Sequence, residues 1–218
     1  MKLLFLRLEG PLQSWGERAK WDSRDSAVMP TKSGIVGLLG CALGLERGDP
    51  ALTELSGAVS IAVRADRPGR FLEDFHTVHA DTERGERILS AEGKPRGETI
   101  VTRRTYLQDA SFLAAISAED AVLSRLASAL QSPRWVPYLG RKSCVPCVPI
   151  YAGTEDRYTG LEDAMRRYPA ARRAERSMQF ELPSDDAGGY LRSDELSGNR
   201  QFSMRRVRTN SAETEGSE

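Results

Sequence analysis

The chain has 218 residues, 39% hydrophobic and 28% charged, a mixture that builds one folded domain with a dominant core and excludes fibrous or wholly disordered classes. Lysine plus arginine and aspartate plus glutamate number 31 each, so overall charge does not direct the chain to a polyanion. The longest apolar run, residues 35–45, is broken by Gly37, Gly40 and Gly44 and falls short of the ~20 residues a membrane helix needs. No membrane partner is expected, and the short apolar stretch after Met1, with no small-residue cleavage site behind it, predicts a cytoplasmic protein.

Residues 3–8 form a short hydrophobic run ended by Gly10-Pro11, the pattern of a buried first strand. A polar loop bearing Gln13, Trp15 and Arg24 follows. A helix then opens at Thr31-Lys32-Ser33, with Thr31 or Ser33 as its N-cap. Glycines at 34, 37 and 40 predict close packing of that helix, because each costs about 1 kcal/mol against alanine. Residues 58–64 alternate as a second strand. Residues 66–104 are dense in Arg, Glu, Asp and Gly and read as an insertion outside the core. Strands are expected over 101–107 and 111–116. A capping box at Ser117-Ala118-Glu119-Asp120 predicts a helix over 119–130. A proline-punctuated loop with Tyr138-Leu139-Gly140-Arg141-Lys142-Ser143 leads to a strand at 148–151. The order β-α-β-(insertion)-β-α-(basic loop)-β predicts an α+β fold with a ferredoxin-like, RRM-related palm.

Beyond Gly153 the pattern predicts a C-terminal elaboration packed on the same domain, residues 154–208. It holds a helix opened by a capping box at Thr159-Gly160-Leu161-Glu162 and strands at 177–182 and 201–207. Residues 209–218 carry Glu213, Glu215 and Glu218 without a cation and are expected to be a disordered acidic tail.

No strong catalytic motif is present: there is no G-x-S-x-G, no H-E-x-x-H, and Lys32-Ser33 lacks the glycines of a phosphate-binding loop. The start of the 31–44 helix instead offers an anion site, where free N–H groups, Lys32 and the Ser33 hydroxyl converge. Two further segments interleave cations with an aromatic: Arg103, Arg104 and Tyr106 on a strand, and Tyr138, Gly140, Arg141 and Lys142 on a loop. Single-stranded nucleic acid is held by this pairing, in which cations track phosphates and aromatic faces stack bases. A second basic run, residues 200–208, holds Arg200, Arg205, Arg206 and Arg208 with no acid. Cys144 and Cys147 have C-x-x-C spacing, but Pro146 and Pro149 argue for extended chain rather than a redox helix, and the two-residue separation and strand-like context of His76 and His79 disfavour a His2Cys2 zinc site. No metal or cofactor is expected.

Leu6-Arg7-Leu8-Glu9-Gly10-Pro11-Leu12-Gln13-Ser14-Trp15-Gly16, then Pro30-Thr31-Lys32-Ser33-Gly34-Ile35-Val36-Gly37-Leu38-Leu39-Gly40, Phe75-His76-Thr77-Val78, Tyr106-Leu107-Gln108-Asp109-Ala110-Ser111-Phe112 and Pro137-Tyr138-Leu139-Gly140-Arg141-Lys142-Ser143-Cys144 together resemble the CasD family of the type I-E CRISPR surveillance complex Cascade. The resemblance runs from residue 2 to about 153, and loosely onward through Arg200-Gln201-Phe202. It implies a RAMP-type RNA-binding palm over residues 1–153 with the 66–104 insertion as a β-hairpin thumb. It further implies a grip on the 5′ handle of the CRISPR RNA, with the Cascade backbone subunits and the large PAM-reading subunit as partners. The RNA-binding residues expected on both grounds are Gln13, Trp15, Arg24, Lys32, Ser33, Arg103, Arg104, Tyr106, Tyr138, Gly140, Arg141 and Lys142. A non-catalytic RNA cap is favoured over a metal-independent endoribonuclease, since cleavage needs a positioned acid and base and the two histidines, expected at the foot of the thumb, do not assemble with a tyrosine and a lysine.

Overall fold

The computed structural model describes residues 1–18, 22–90, 93–95, 97, 99–199 and 201–213. Its centre is a seven-stranded sheet in the order β10 (Tyr190–Gly198), β11 (Gln201–Glu213), β9 (Ser177–Pro183), β4 (Ser60–Arg67), β7 (Ser111–Ser117), β1 (Leu3–Glu9), β8 (Tyr151–Glu155). The last four strands in that order, β4, β7, β1 and β8, form one end of the sheet. All their pairings are antiparallel. Helix α1 (Lys32–Leu43) precedes β4 and α3 (Asp120–Gln131) precedes β8, so these strands and helices follow β-α-β-β-α-β. A second helix, α2 (Pro50–Ala58), sits between α1 and β4, where no element was expected.

The apolar run Leu3-Leu4-Phe5-Leu6 of β1 has a physical reason: both faces of the sheet are covered. Leu4, Leu6 and Leu8 meet one core with Ile35, Leu39, Leu123 and Leu126 of α1 and α3. Leu3 and Phe5 turn to a second core with Met165 of α4 (Leu161–Arg167) and Phe180 of β9 (Ser177–Pro183). There Phe5 stacks on Tyr168, with ring centroids 4.2 Å apart. Each such side chain contributes roughly 1.5–3 kcal/mol on burial.

Gly34 and Gly40 do the packing their spacing predicted: a Cβ on Gly34 would lie 2.8 Å from the Trp15 ring and one on Gly40 2.3 Å from Leu52. Gly37 does not, since its face is open. Neither predicted capping box forms. The N-caps are Glu119 and Gly160, without side-chain cap bonds. At α4 the Asp163 carboxylate, rather than Glu162, accepts from the Thr159 N–H.

The insertion is a hairpin of β5 (Arg70–His79) and β6 (Thr99–Gln108), in register from Arg70↔Gln108 to His79↔Thr99. It therefore runs past residue 104. Its foot is the Arg70/Gln108 end, so His76 and His79 lie toward the far end and not at the foot. Two short strands, β2 (Leu12–Gln13) and β3 (Ser23–Arg24), pair with β6 on the side away from β5.

The C-terminal elaboration extends the main sheet through β9, β10 (Tyr190–Gly198) and β11 (Gln201–Glu213). The acidic tail is shorter than expected: residues 209–213 pair with β9 from Thr209↔Glu181 to Glu213↔Ser177. The rest of that segment, 214–218, lies outside the described residues, as does Arg200. Among the described residues no helix is long and apolar enough to cross a membrane.

Candidate nucleic-acid interface

Four segments distant in sequence meet beside the hairpin: the β1–β2 turn, β3, β6 and the 137–146 loop. The loop is seated by main-chain bonds, from Ser14 N–H to the Leu139 carbonyl (3.1 Å), from Leu139 N–H to the Cys144 carbonyl (2.8 Å) and from Cys144 N–H to the Arg141 carbonyl (2.8 Å). Gly140 has φ +86°, and a Cβ there would stand 1.7 Å from the Ser14 carbonyl oxygen. Only glycine lets the loop approach the β2 segment this closely.

Gln13 and Trp15 brace this junction from beneath. Gln13 Nε2 donates to the Leu8 and Ala110 carbonyls (3.0 and 2.9 Å), and its Oε1 accepts from Trp15 Nε1 (3.1 Å). Both side chains are buried, so the expectation that they lie on an RNA-facing surface is corrected: their polar groups are consumed in holding β1, β2 and β7 together.

Arg141 is the centre of the surface above them. Its guanidinium lies over the Tyr106 ring at 4.6 Å, and Nη2 donates to the Arg24 and Asp25 carbonyls at 2.9 and 3.2 Å. Nη1 is buried with no hydrogen-bond partner among the described residues. Arg24 pairs in register with Arg104 across the parallel β3–β6 ladder. Tyr106, two residues further along β6, shares the Arg104 face. Arg24 is exposed and Arg104 half-buried, and neither has an ion-pair partner among the described residues. Asp25 shapes the adjoining loop by accepting from the Glu17 and Arg18 N–H groups. Lys142 is exposed and Tyr138 half-buried on the loop. Tyr106 itself is buried, a platform for Arg141 rather than an open stacking face.

Three expected members, Arg103, Lys32 and Ser33, lie elsewhere. Arg103 points to the opposite hairpin face, beside Glu73 at 3.6 Å with both side chains mostly exposed. The anion site at the start of α1 is real, but the protein fills it. Thr31 caps Gly34 N–H, Lys32 N–H donates to Asp194 Oδ2 (2.7 Å), and Lys32 Nζ pairs with Glu195 Oε2 (2.6 Å). Ser33 Oγ donates to the Thr31 hydroxyl at 3.4 Å. Asp194 also receives Arg205, at 2.6 and 2.9 Å. Its burial alone would raise its pKa, but the Arg205 fork, the Lys32 N–H and Arg192 hold it below the ordinary carboxylate value. No sequence signal marked Asp194, which sits 162 residues from Lys32.

In the 200–208 run, Arg206 and Arg208 are likewise engaged within the chain: Arg206 donates to the Ala187 and Gly189 carbonyls, and Arg208 pairs with Glu162. The cysteines are free, with Cys144 buried and Cys147 exposed, so the two sulfurs do not share an environment.

The sequence matches the CRISPR-associated protein (Cas_Cas5) family over residues 3–214. The chain belongs to this Cas5 family. It is 40% identical over 163 residues to the CRISPR system Cascade subunit CasD of Escherichia coli (strain K12), covering 69% of this chain and 70% of that one. A chain of a solved CRISPR RNA-guided surveillance complex superposes with a TM-score of 0.77 at 31% identity, over 97% of this chain and 90% of the other. A crystal structure described as a Cas protein superposes at 0.74 and 33% identity, over 98% and 96%. The Cas5 likeness in structure thus reaches past residue 153, into the elaboration where the sequence motifs thin out.

Proposed function

We propose that this Cas5 chain is a non-catalytic CRISPR RNA-binding subunit of a Cascade-type surveillance complex, in which its ferredoxin-like palm and hairpin thumb grip the 5′ handle of the RNA and help assemble the complex for antiviral defence. One observation carries the reading. Arg24, Arg104 and Arg141 converge beside one hairpin, with no ion-pair partner among the described residues and with Arg141 Nη1 buried and unpaired there, while Arg205, Arg206 and Arg208 of the 200–208 run are engaged internally. Three guanidinium forks on a rigid frame suit phosphate oxygens, which accept bidentate, charge-assisted bonds. Exposed Lys142 and half-buried Tyr138 widen the surface.

The backbone subunits of the complex and its large PAM-reading subunit are the proposed partners. A contact of few cations needs them to reach high affinity, because association also costs the ordering of both surfaces.

Cleavage is not proposed. His79 Nδ1 is engaged with the Thr99 hydroxyl at 2.6 Å, and both histidines sit on the hairpin arm away from the Arg141 loop. The test incubates the purified chain with labelled repeat RNA in excess EDTA. Intact RNA, together with loss of RNA from the assembled complex in an Arg104→Gln/Arg141→Gln variant, supports the reading; one discrete cut that vanishes in His76→Ala overturns it.

A further inference from the structure

The two faces of the β10–β11 hairpin have different neighbours. Asp194 and Glu195 turn to the start of α1 and the end of α2, where they meet Lys32 and Ser56. The strand register puts another set on the opposite face. Arg208 and Asn210 of β11 both bond Glu162 of α4, and Ala212 joins the core of Met165 and Phe180. Alternation along the strand carries Arg206, Met204 and Phe202 to that same side. Leu191 stands opposite Arg206 and Leu196 opposite Phe202, so cross-strand pairing adds both leucines.

These side chains make an apolar patch that no other element covers, among the described residues. Leu191 is 56% exposed, Phe202 50% and Met204 64%. Helix α4 packs on β4, β7, β9 and β11, but its side-chain bonds to β11 end at Arg208. Beyond it, the 184–189 turn accepts from Arg206 through the Ala187 and Gly189 carbonyls. On the other face, α1 and α2 reach as far as β10. A sheet buries each apolar face against a packed layer, and on the α4 side that layer stops short of the hairpin.

Two occupants near at hand do not fit. Glu213 lies nine residues beyond Met204 on β11, about 30 Å at the rise of a strand, and residues 214–218 span at most ~18 Å. A second copy is disfavoured by area: the exposed side chains offer on the order of 300 Å² of apolar surface, the size of a functional patch and well below the ~800 Å² each partner gives to a stable dimer. Nucleic acid is disfavoured by chemistry. Phe202 is the one ring on the patch, Arg206 is committed to two carbonyls, and Arg208 shares Glu162 with Arg166. Asp185 and Asp186 in the adjoining turn would repel phosphates. Leucine and methionine instead suit the apolar stripe of a helix, to which the flexible methionine adapts.

We infer that the Leu191–Phe202–Met204 face docks an amphipathic helix of another protein subunit, which completes the helix layer begun by α4; this rests on the chain being a subunit of the surveillance complex proposed above.

The test assembles that complex from its coexpressed protein subunits and CRISPR RNA, with the photo-crosslinking residue benzoylphenylalanine at position 204. The expected product joins position 204 to an amphipathic helix of another protein subunit. In Leu191→Gln/Phe202→Gln/Met204→Gln the free chain keeps the wild-type melt and the wild-type salt slope on RNA, while native mass spectrometry shows the cross-linked subunit held about tenfold less tightly. Leu191→Met/Phe202→Leu/Met204→Leu, apolar throughout, restores it. A cross-link to RNA, to a second copy of this chain or to nothing overturns the inference, as does full retention of every subunit by the glutamine variant. A wild-type chain missing from the assembled complex overturns the proposed function as well. Loss of RNA from Arg104→Gln/Arg141→Gln, with no cross-link at 204, sinks the docking face alone.

Discussion

The guanidinium groups around Tyr106 and those around Asp194 are built from the same residue type on the same sheet-and-hairpin frame, yet they have opposite electrostatic fates. Around Asp194, Arg192 and Arg205 are buried or nearly so, each meets a carboxylate, and even the N–H at the start of α1 is absorbed. Around Tyr106, Arg141 commits one nitrogen to main-chain carbonyls and keeps another unpaired, while Arg24 and Arg104 have no acid, among the described residues. The first arrangement fastens the β10–β11 hairpin to α1. The second leaves charge for a partner. A basic cluster becomes a binding surface only where the fold withholds its own anions.

The largest expected effect tests the closed network. Asp194→Ala leaves Arg192 and Arg205 short of a buried counter-charge and uncaps the Lys32 N–H, and should cost about 3–5 kcal/mol in urea unfolding, with little change in the salt slope of RNA binding. An equal fall in slope would mean that the two regions are not independent.

Next in size is Gly140→Ala, which sharpens the open region. The clash with the Ser14 carbonyl and the left-handed φ should together cost about 3 kcal/mol. Unlike Asp194→Ala, it should also weaken RNA binding beyond the stability loss, because Arg141 rides on that loop. Thermal melts and anisotropy on one preparation separate the two.

Acid titration probes the closed network without mutation. Asp194 has a folded-state pKa below its ordinary 3.8, so its contribution is fully present above about pH 4 and is lost as pH falls through the folded value. Glu9, which burial would raise but Ser111 and Arg67 hold low, acts in the same sense. The wild type should lose stability below about pH 4, and Asp194→Asn should show a flatter acid limb.

Much of the frame is legible in sequence because it is local. The β1 run, the glycine packing of α1 and the polar insertion follow from composition and period. The Tyr138-to-Ser143 loop and the Arg104/Tyr106 strand could be singled out as cation-aromatic segments, and the structure brings them together. Gln13 and Trp15 misled because an amide and an indole at a strand end look alike whether they face water or brace a turn; burial decides, and burial is tertiary. Lys32 misled for a related reason: a helix start attracts an anion, but nothing nearby in sequence reveals that Asp194 supplies it. The capping boxes failed by two residues at α3 and by one at α4, and either shift is enough to move the box's side chains off their N–H groups.

The smallest effect divides the hairpin itself. Arg103 and Arg104 are neighbours in β6, so successive side chains face opposite sides: Arg104 turns to Arg24 and Tyr106, Arg103 to Glu73. The Arg103–Glu73 pair is long and exposed, and such pairs contribute about 0–1 kcal/mol. Arg103→Gln should therefore leave the melt nearly unchanged and the salt slope of RNA binding where it is. Arg104→Gln should lower that slope by ~0.7, the share of one neutralised phosphate on a single strand. Equal reductions from the two variants would show RNA wrapping both faces of the hairpin, and the open region would then extend around the thumb instead of ending at Arg104.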